Sequence, residues 1–286
     1  MKRLMLVIYM LSMGSLCWAQ APSLGSAASF AVLGGTNVTC TAPGVIAGDV
    51  GVSPGSAVPF TNTGCTIAGG TPPGTDAAAG LARPVFLSAW GTLGVDGGHG
   101  VACNEIITGT LAGVTRPPGV YCLSSEAKTG ILTLDGLTNP NGIWIFKVAA
   151  ALTGNSFQVV MANGAQPCNV YWSVGNAVTL TDSQFQGTIL AGDATLGSIT
   201  ITRGSLIGRA LANVAVTLSG PTTGINILGS CALVAQGQAQ GQASCTDTDN
   251  DEHHHEMDKD EHHHDKDKDG DDDKDKDHEK EKDSDH

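Results

Sequence analysis

The sequence predicts an all-β protein wound as a solenoid, with one helix and a hydrophilic C-terminal tail. Three observations carry this. Short period-two apolar stretches recur between residues bounded by Gly, Asn, Asp or Ser, one alanine-rich segment has helical spacing, and the excess of charge sits at one end.

The first element is a leader. Met1-Lys2-Arg3 precedes the apolar run LMLVIYMLSMGSLC and the small-residue stretch WAQA, the pattern of a secretory signal peptide cleaved after Ala19. The run is shorter than the roughly 20 apolar residues that a membrane helix needs. A secreted protein without a transmembrane segment is expected, divided into a signal peptide (1–19), a β-domain (20–230), and a linker with a disordered acidic His/Asp/Lys-rich tail (231–286).

Strand-length stretches then follow one another: ILTLDG, GIWIFKV, FQVVM, NVYWSV, AVTLTD, FQGTILAG, SITITRG, SLIGRALA and VAVTLSG. Trp144, Trp172, Thr188 and Arg209 occupy similar places in strands of similar shape, separated by 28, 16 and 21 residues. That irregular step fits coils with variable turns, each burying its apolar face on its neighbours. A β-sandwich is the alternative, although its hairpins call for more Asn-Gly or Asp-Gly turns than the sequence contains.

Residues 75–93, TDAAAGLARPVFLSAWGTL, read as a helix lying along the coils. Thr75 or Asp76 is the expected N-cap, Leu81, Val85, Ala89 and Trp90 the apolar stripe, and Pro84 a kink or a second start.

Seven cysteines follow the leader, with no Cys-x-x-Cys pair, so an exported chain points to disulfides. Pairing neighbours gives Cys40 with Cys65, Cys103 with Cys122 and Cys168 with Cys231, leaving Cys245; spacing alone leaves other connectivities open.

Gly51 to Gly55 match the Gly-x-Ser-x-Gly pattern of nucleophilic serines, yet Pro54 follows Ser53 and has no N–H for an oxyanion hole. His99 is the one histidine outside the tail, so a turn is the expected role of Ser53. The acids Asp49, Asp135, Asp182 and Asp193 are scattered among turns without the facing pair that glycoside chemistry needs, and no enzyme is expected.

From Thr246 onward 20 acidic residues face 7 lysines, a balance of −13 that equals the net charge of the whole chain. The body is therefore neutral and carries no basic face for nucleic acid. The tail begins like a calcium-binding loop at Asp265, Asp267, Asp269 and Gly270, but Lys276 stands where the loop needs Glu. Its triplets His253, His254, His255 and His262, His263, His264 suit a weak site for Zn²⁺, Ni²⁺ or Cu²⁺, the alternative being a solubilising polyelectrolyte. No cofactor is expected in the body.

Several blocks of the body, LGSAASFAVLGG, GDVGVSPG, PPGVYCLSS, LTLDGLTNPNGIWIFKV, CNVYWSVGNAVTL, GTILAG and GRALANVAVTL, come in the order that resembles the microbial ice-binding protein family over residues 23–227. The resemblance implies a discontinuous three-sided β-solenoid with a long α-helix packed alongside, and a secreted antifreeze protein that adsorbs to ice. An ice surface, or another extended extracellular surface, is then the expected partner, and a monomer the expected state.

Threonine suits such a face, because its stiff β-branched side chain fixes a methyl and a hydroxyl together. With Val178, Leu180, Ile199 and Ile201 pointing inward, Thr179, Thr181, Thr200 and Thr202 point outward, and Thr133 and Thr217 are expected to extend the rows. Some family members resemble a T-A/G-x-T/N pattern at coil edges. The corresponding stretches here are TGNS (Thr153 to Ser156), TDSQ (Thr181 to Gln184) and TRGS (Thr202 to Ser205), of which the first is close. Asp182 and Arg203 depart from it by placing charges where an ice face should be smooth, although they could pair with each other across coils. The alternative function is an adhesion module on the same fold, for which charges or aromatics on the face would speak.

Overall fold

Alternation between two parallel sheets organises the computed structural model, which describes residues 19–41, 43–54, 59–68, 77–94, 100–124, 126–220 and 225–229. Six strands precede the helix: β1 (Phe30–Gly34), β2 (Asn37–Cys40), β3 (Gly44–Ala47), β4 (Asp49–Val52), β5 (Phe60–Asn62) and β6 (Cys65–Ala68). After helix α1 (Ala77–Leu93) come β7 (Glu105–Ile107), β8 (Val114–Arg116), β9 (Gly119–Leu123), β10 (Glu126–Asp135), β11 (Trp144–Val148), β12 (Leu152–Ala162) and β13 (Val170–Val174). The last six are β14 (Val178–Gln186), β15 (Thr188–Ala191), β16 (Ile199–Ile207), β17 (Ala210–Ala212), β18 (Ala215–Ser219) and β19 (Ile225–Leu228).

The first sheet runs β4-β1-β17-β15-β13-β11-β9-β7 and the second β5-β2-β18-β16-β14-β12-β10-β8, with β19, β3 and β6 alongside. From β7 to β18 successive strands pass from one sheet to the other. Each pairs in parallel with the next strand of its own sheet, as in Trp144↔Val170 and Val178↔Ile199. The second sheet forks at a bend. The first half of β16, Ile199 to Thr202, pairs with β18, and its second half, Gly204 to Ile207, with β19.

Chain order breaks at one place. The N-terminal β1 and β2 lie against β17 and β18, not against β7 and β8, and β3 lies against β19. The chain must therefore travel from the β4 end of the first sheet to the β7 end. Seven interstrand steps of about 4.8 Å make this about 34 Å, and the 17 residues of α1 cover about 25 Å of it.

Apolar side chains fill the space between the sheets. Tyr121, Phe146 and Trp172 stack on one another with ring centroids 5.3 and 4.1 Å apart, and the row tapers through Ile189, Ala210 and Val32. The indole N–H groups of Trp144 and Trp172 reach the carbonyls of Arg116 and Gln186 at 3.1 and 3.0 Å, so neither is left unpaired. The two tryptophans are not equivalent, contrary to the sequence reading. The true ladder is Ile145, Tyr171, Thr188 and, beside Thr188, Arg209, one residue away from each indole.

The helix lies on the outer face of the first sheet, so strands such as β11 and β13 are buried on both faces. Ala79, Ala82, Phe86, Ala89 and Leu93 form its buried stripe, and Leu81, placed there by the sequence pattern, is 67 % exposed. Pro84 lies on the exposed side of one continuous helix, above the exposed Gly80 whose carbonyl it cannot pair with. The expected caps Thr75 and Asp76 fall outside the described residues. Under the helix, Arg209 Nε donates to the Ala28 carbonyl at 2.8 Å and Lys147 Nζ to that of Val101 at 2.9 Å, which offsets the cost of burying the two cations.

Two disulfides join Cys40 to Cys65 and Cys103 to Cys122, as the pairing of neighbours expected. Cys168 is also disulfide-bonded; Cys231 and Cys245 lie outside the described residues, as do His99 and the tail. No described helix is long and apolar enough to cross a membrane.

Candidate functional site

The helix covers the first sheet, but no described element covers the first half of the second sheet, whose strands alternate buried and open positions. Inward lie Leu152, Val178, Ile199, Val216 and Val38, each at most 1 % exposed, which fixes the backbone of the face above. Their outward neighbours form one unbroken ladder: Thr153, Thr179, Thr200, Thr217, Thr39 and Thr61.

A second column runs beside it. Asn155, Thr181, Thr202 and Ser219 are in register. Thr41 and Thr63 continue it past the strand ends, since Thr41 N donates to the Leu218 carbonyl and Thr63 N to that of Cys40, both at 2.9 Å. Each coil thus presents Thr-x-Thr or a near relative. Spacing is about 6.6 Å along a strand and about 4.8 Å between coils.

Hydroxyl directions are partly fixed: Thr202 and Ser219 share a hydrogen bond of 3.1 Å, and Asn37 Nδ2 donates to Thr39 Oγ1 at 3.3 Å. On the other flank Asn37 pairs with Ala215, in line with Ser198, Ala177 and Ala151. No charged or aromatic side chain stands in these columns.

Beyond the second column the chain turns the corner. Ser156, Asp182 and Arg203 have positive φ values of 50°, 50° and 56°. Asp182 and Arg203 form a bidentate pair, Nε to Oδ1 and Nη2 to Oδ2 both at 2.6 Å. The hydrogen bond from Arg203 holds the Asp182 carboxyl below its ordinary range and raises the guanidinium. Both charges therefore sit on the rim and neutralise each other.

Of the threonines expected on the face, Thr153, Thr179, Thr181, Thr200, Thr202 and Thr217 lie there together. Two expected residues do not. Thr133 stands past the bend, paired with Thr115 and Val160, and Ser156 occupies the corner itself. The stretches TDSQ and TRGS are out of phase by two residues with TGNS; its structural equivalents are TLTD from Thr179 and TITR from Thr200. Thr39, Thr41, Thr61, Thr63, Ser219 and Asn155 were missed, although TCT and TNT carry the same signal in the N-terminal segment.

Ser53 follows β4 directly, at the start of a bend, its N–H bonded to the Gly34 carbonyl at 3.0 Å. Its place in that bend agrees with the turn expected of it, and its hydroxyl lies 3.8 Å from where a β-carbon on Gly80 of the helix would stand.

Residues 32–223 match the family model described as ice-binding-like. The chain belongs to this family. Members similar to it include an ice-binding protein of Nostoc sp. (strain HG1), 42% identical over 207 residues, which cover 70% of this chain and 72% of the relative. Another, from Flavobacterium frigoris (strain PS1), is 33% identical over 210 residues, 68% of this chain and 73% of the relative. Among solved structures, an ice binding protein from an Antarctic Biological Consortium superposes with a TM-score of 0.58 at 32% identity, covering 73% of this chain and 92% of its own.

Proposed function

We propose that the protein is a secreted, non-enzymatic ice-binding protein that adsorbs to ice through the Thr-x-Thr columns of the second sheet. Family membership supports the target, and one observation carries the site: five stacked coils repeat a small hydroxyl-bearing pair, and a sixth pairs Thr153 with Asn155, without a charge or an aromatic ring between them. Ordering water in a lattice-like array needs groups that are regularly spaced and unable to move. β-branched side chains on a parallel ladder supply both. The Asp182–Arg203 pair lies at the rim, so the departure from the family pattern does not interrupt the columns. The fold is read as a discontinuous three-sided solenoid whose sides are the first sheet and the two halves of the second.

An adhesion module on the same fold is the less favoured reading, since the open columns lack the charges and aromatics that would hold a polymer. The tail is read as an appendage with weak affinity for divalent transition metals through His253 to His255 and His262 to His264. Thermal hysteresis and inhibition of ice recrystallisation, measured on the mature protein and on Thr200→Tyr, test the site. Activity in the first and its loss in a folded second are expected; equal activity in both would move the ice face elsewhere.

A further inference from the structure

At the N-terminal end of the ladder, Thr61 and Thr63 belong to the weakest part of the face. β5 has three residues and, among the described strands, pairs with β2 alone, through Val38↔Phe60, Thr39↔Thr61 and Cys40↔Asn62. An edge strand this short does not hold its position by pairing alone.

Three side chains close a ring around it. Cys40, buried on β2 between Thr39 and Thr41, is disulfide-bonded to Cys65. Cys65 in turn is cradled by Asn62 of β5: Asn62 Nδ2 donates to the Cys65 carbonyl at 2.8 Å, and Asn62 Oδ1 accepts from the N–H groups of Cys65 at 2.8 Å and Gly64 at 3.2 Å. Asn62 is the register partner of Cys40, so the covalent bond, the amide cradle and the strand pairing form one closed circuit. Thr61 and Thr63 flank Asn62 and are carried by it. Cys65 also opens β6, which pairs with β3 on the other half of the sheet, so the circuit ties the edge row to the body of the fold.

We infer that Cys40, Asn62 and Cys65 are positioning residues for ice binding, a clasp that holds the outermost row in line with the rest. This rests on the ice-face reading above. Without the clasp the ladder ends at Thr39 and Thr41, and the face is shorter by one row of six.

The test compares Thr61→Tyr in two backgrounds of the full chain, with intact clasp and with Cys40→Ala/Cys65→Ala. In the first, Thr61→Tyr is expected to lower thermal hysteresis by roughly a fifth to a third, since in a stacked repeat each coil contributes locally. In the second, hysteresis starts at that reduced level and Thr61→Tyr changes it no further, whereas Thr200→Tyr abolishes it in both. A purely structural disulfide would lower the melting temperature and leave the Thr61→Tyr effect equal in both backgrounds, which would overturn the inference. So would a harmless Thr61→Tyr in the intact protein alongside a destructive Thr200→Tyr. A harmless Thr200→Tyr would instead overturn the ice-face reading, and the clasp with it. Asn62→Ala, which keeps the disulfide, is expected to reproduce the clasp-free result and serves if the double variant does not fold; full hysteresis in folded Asn62→Ala counts against the inference.

Discussion

Thr200 has threonine neighbours on both sides, Thr179 and Thr217, and Thr202 two residues along its strand. A tyrosine there would stand above all of them, so Thr200→Tyr should remove most ice activity while circular dichroism and melting stay near those of the parent. Thr133→Tyr, past the bend, should leave the activity unchanged, and the pair of measurements locates the face on one side of the corner. At the corner, acid has a defined effect. The pKa of Asp182 is depressed by Arg203 in the folded state, so its contribution to stability is present above the ordinary carboxylate pKa of about 3.9 and is lost as pH falls through the lower folded value. Asp193, held down by N–H groups of Leu196 and Thr195, acts in the same direction. Melting temperature should fall with acidification below pH about 4, less steeply in Asp182→Asn. The inward-outward alternation of the threonines was readable in the sequence because a strand has period two. The phase across the corner was not, because the left-handed positions are filled by three different residues, Ser156, Asp182 and Arg203, none of them the glycine that would have marked the position.

Helix α1 shows the same division at the level of an element. Its existence was legible from the alanine run, but its buried face only in part: Ala89 and Trp90 pack against the sheet as expected, whereas Leu81 does not. Large apolar residues ordinarily mark the core side; here Ala79, Ala82 and Ala89 share it with Phe86 and Leu93, and the small residues let the helix lie close to a sheet that is itself apolar on that face. Gly192 carries that closeness to its limit: a β-carbon there would fall 2.2 Å from the Trp90 ring, whose indole N–H is committed to the Val174 carbonyl at 3.0 Å. Gly192→Val should therefore destabilise by about 1–3 kcal/mol through overpacking, read by chemical denaturation, and Phe86→Ala by about 3–5 kcal/mol through the cavity it leaves. Ice activity at temperatures well below melting should survive both, since the helix and the threonine columns are on different sheets.

For the whole molecule, the neutral body and the charged tail should be separable. Deleting residues 246–286 is expected to preserve folding and ice activity, and to abolish most Zn²⁺ binding seen by calorimetry. In the full chain that binding should weaken below pH about 6.5 as histidines protonate. The succession of strands was visible in the sequence, but their spatial order was not, since nothing in β1 or β2 says that their partners are the last strands and not the next ones. That order has a consequence in time. Thr39 and its register partner Thr217 lie 178 positions apart, and at about 5–20 residues per second of synthesis roughly 10–35 s separate the appearance of one from the other. During that interval β1 and β2 exist without the strands they will join. The protein is thus finished from its middle, and a ribosome that stops short of β17 releases two half-faces that no longer adjoin.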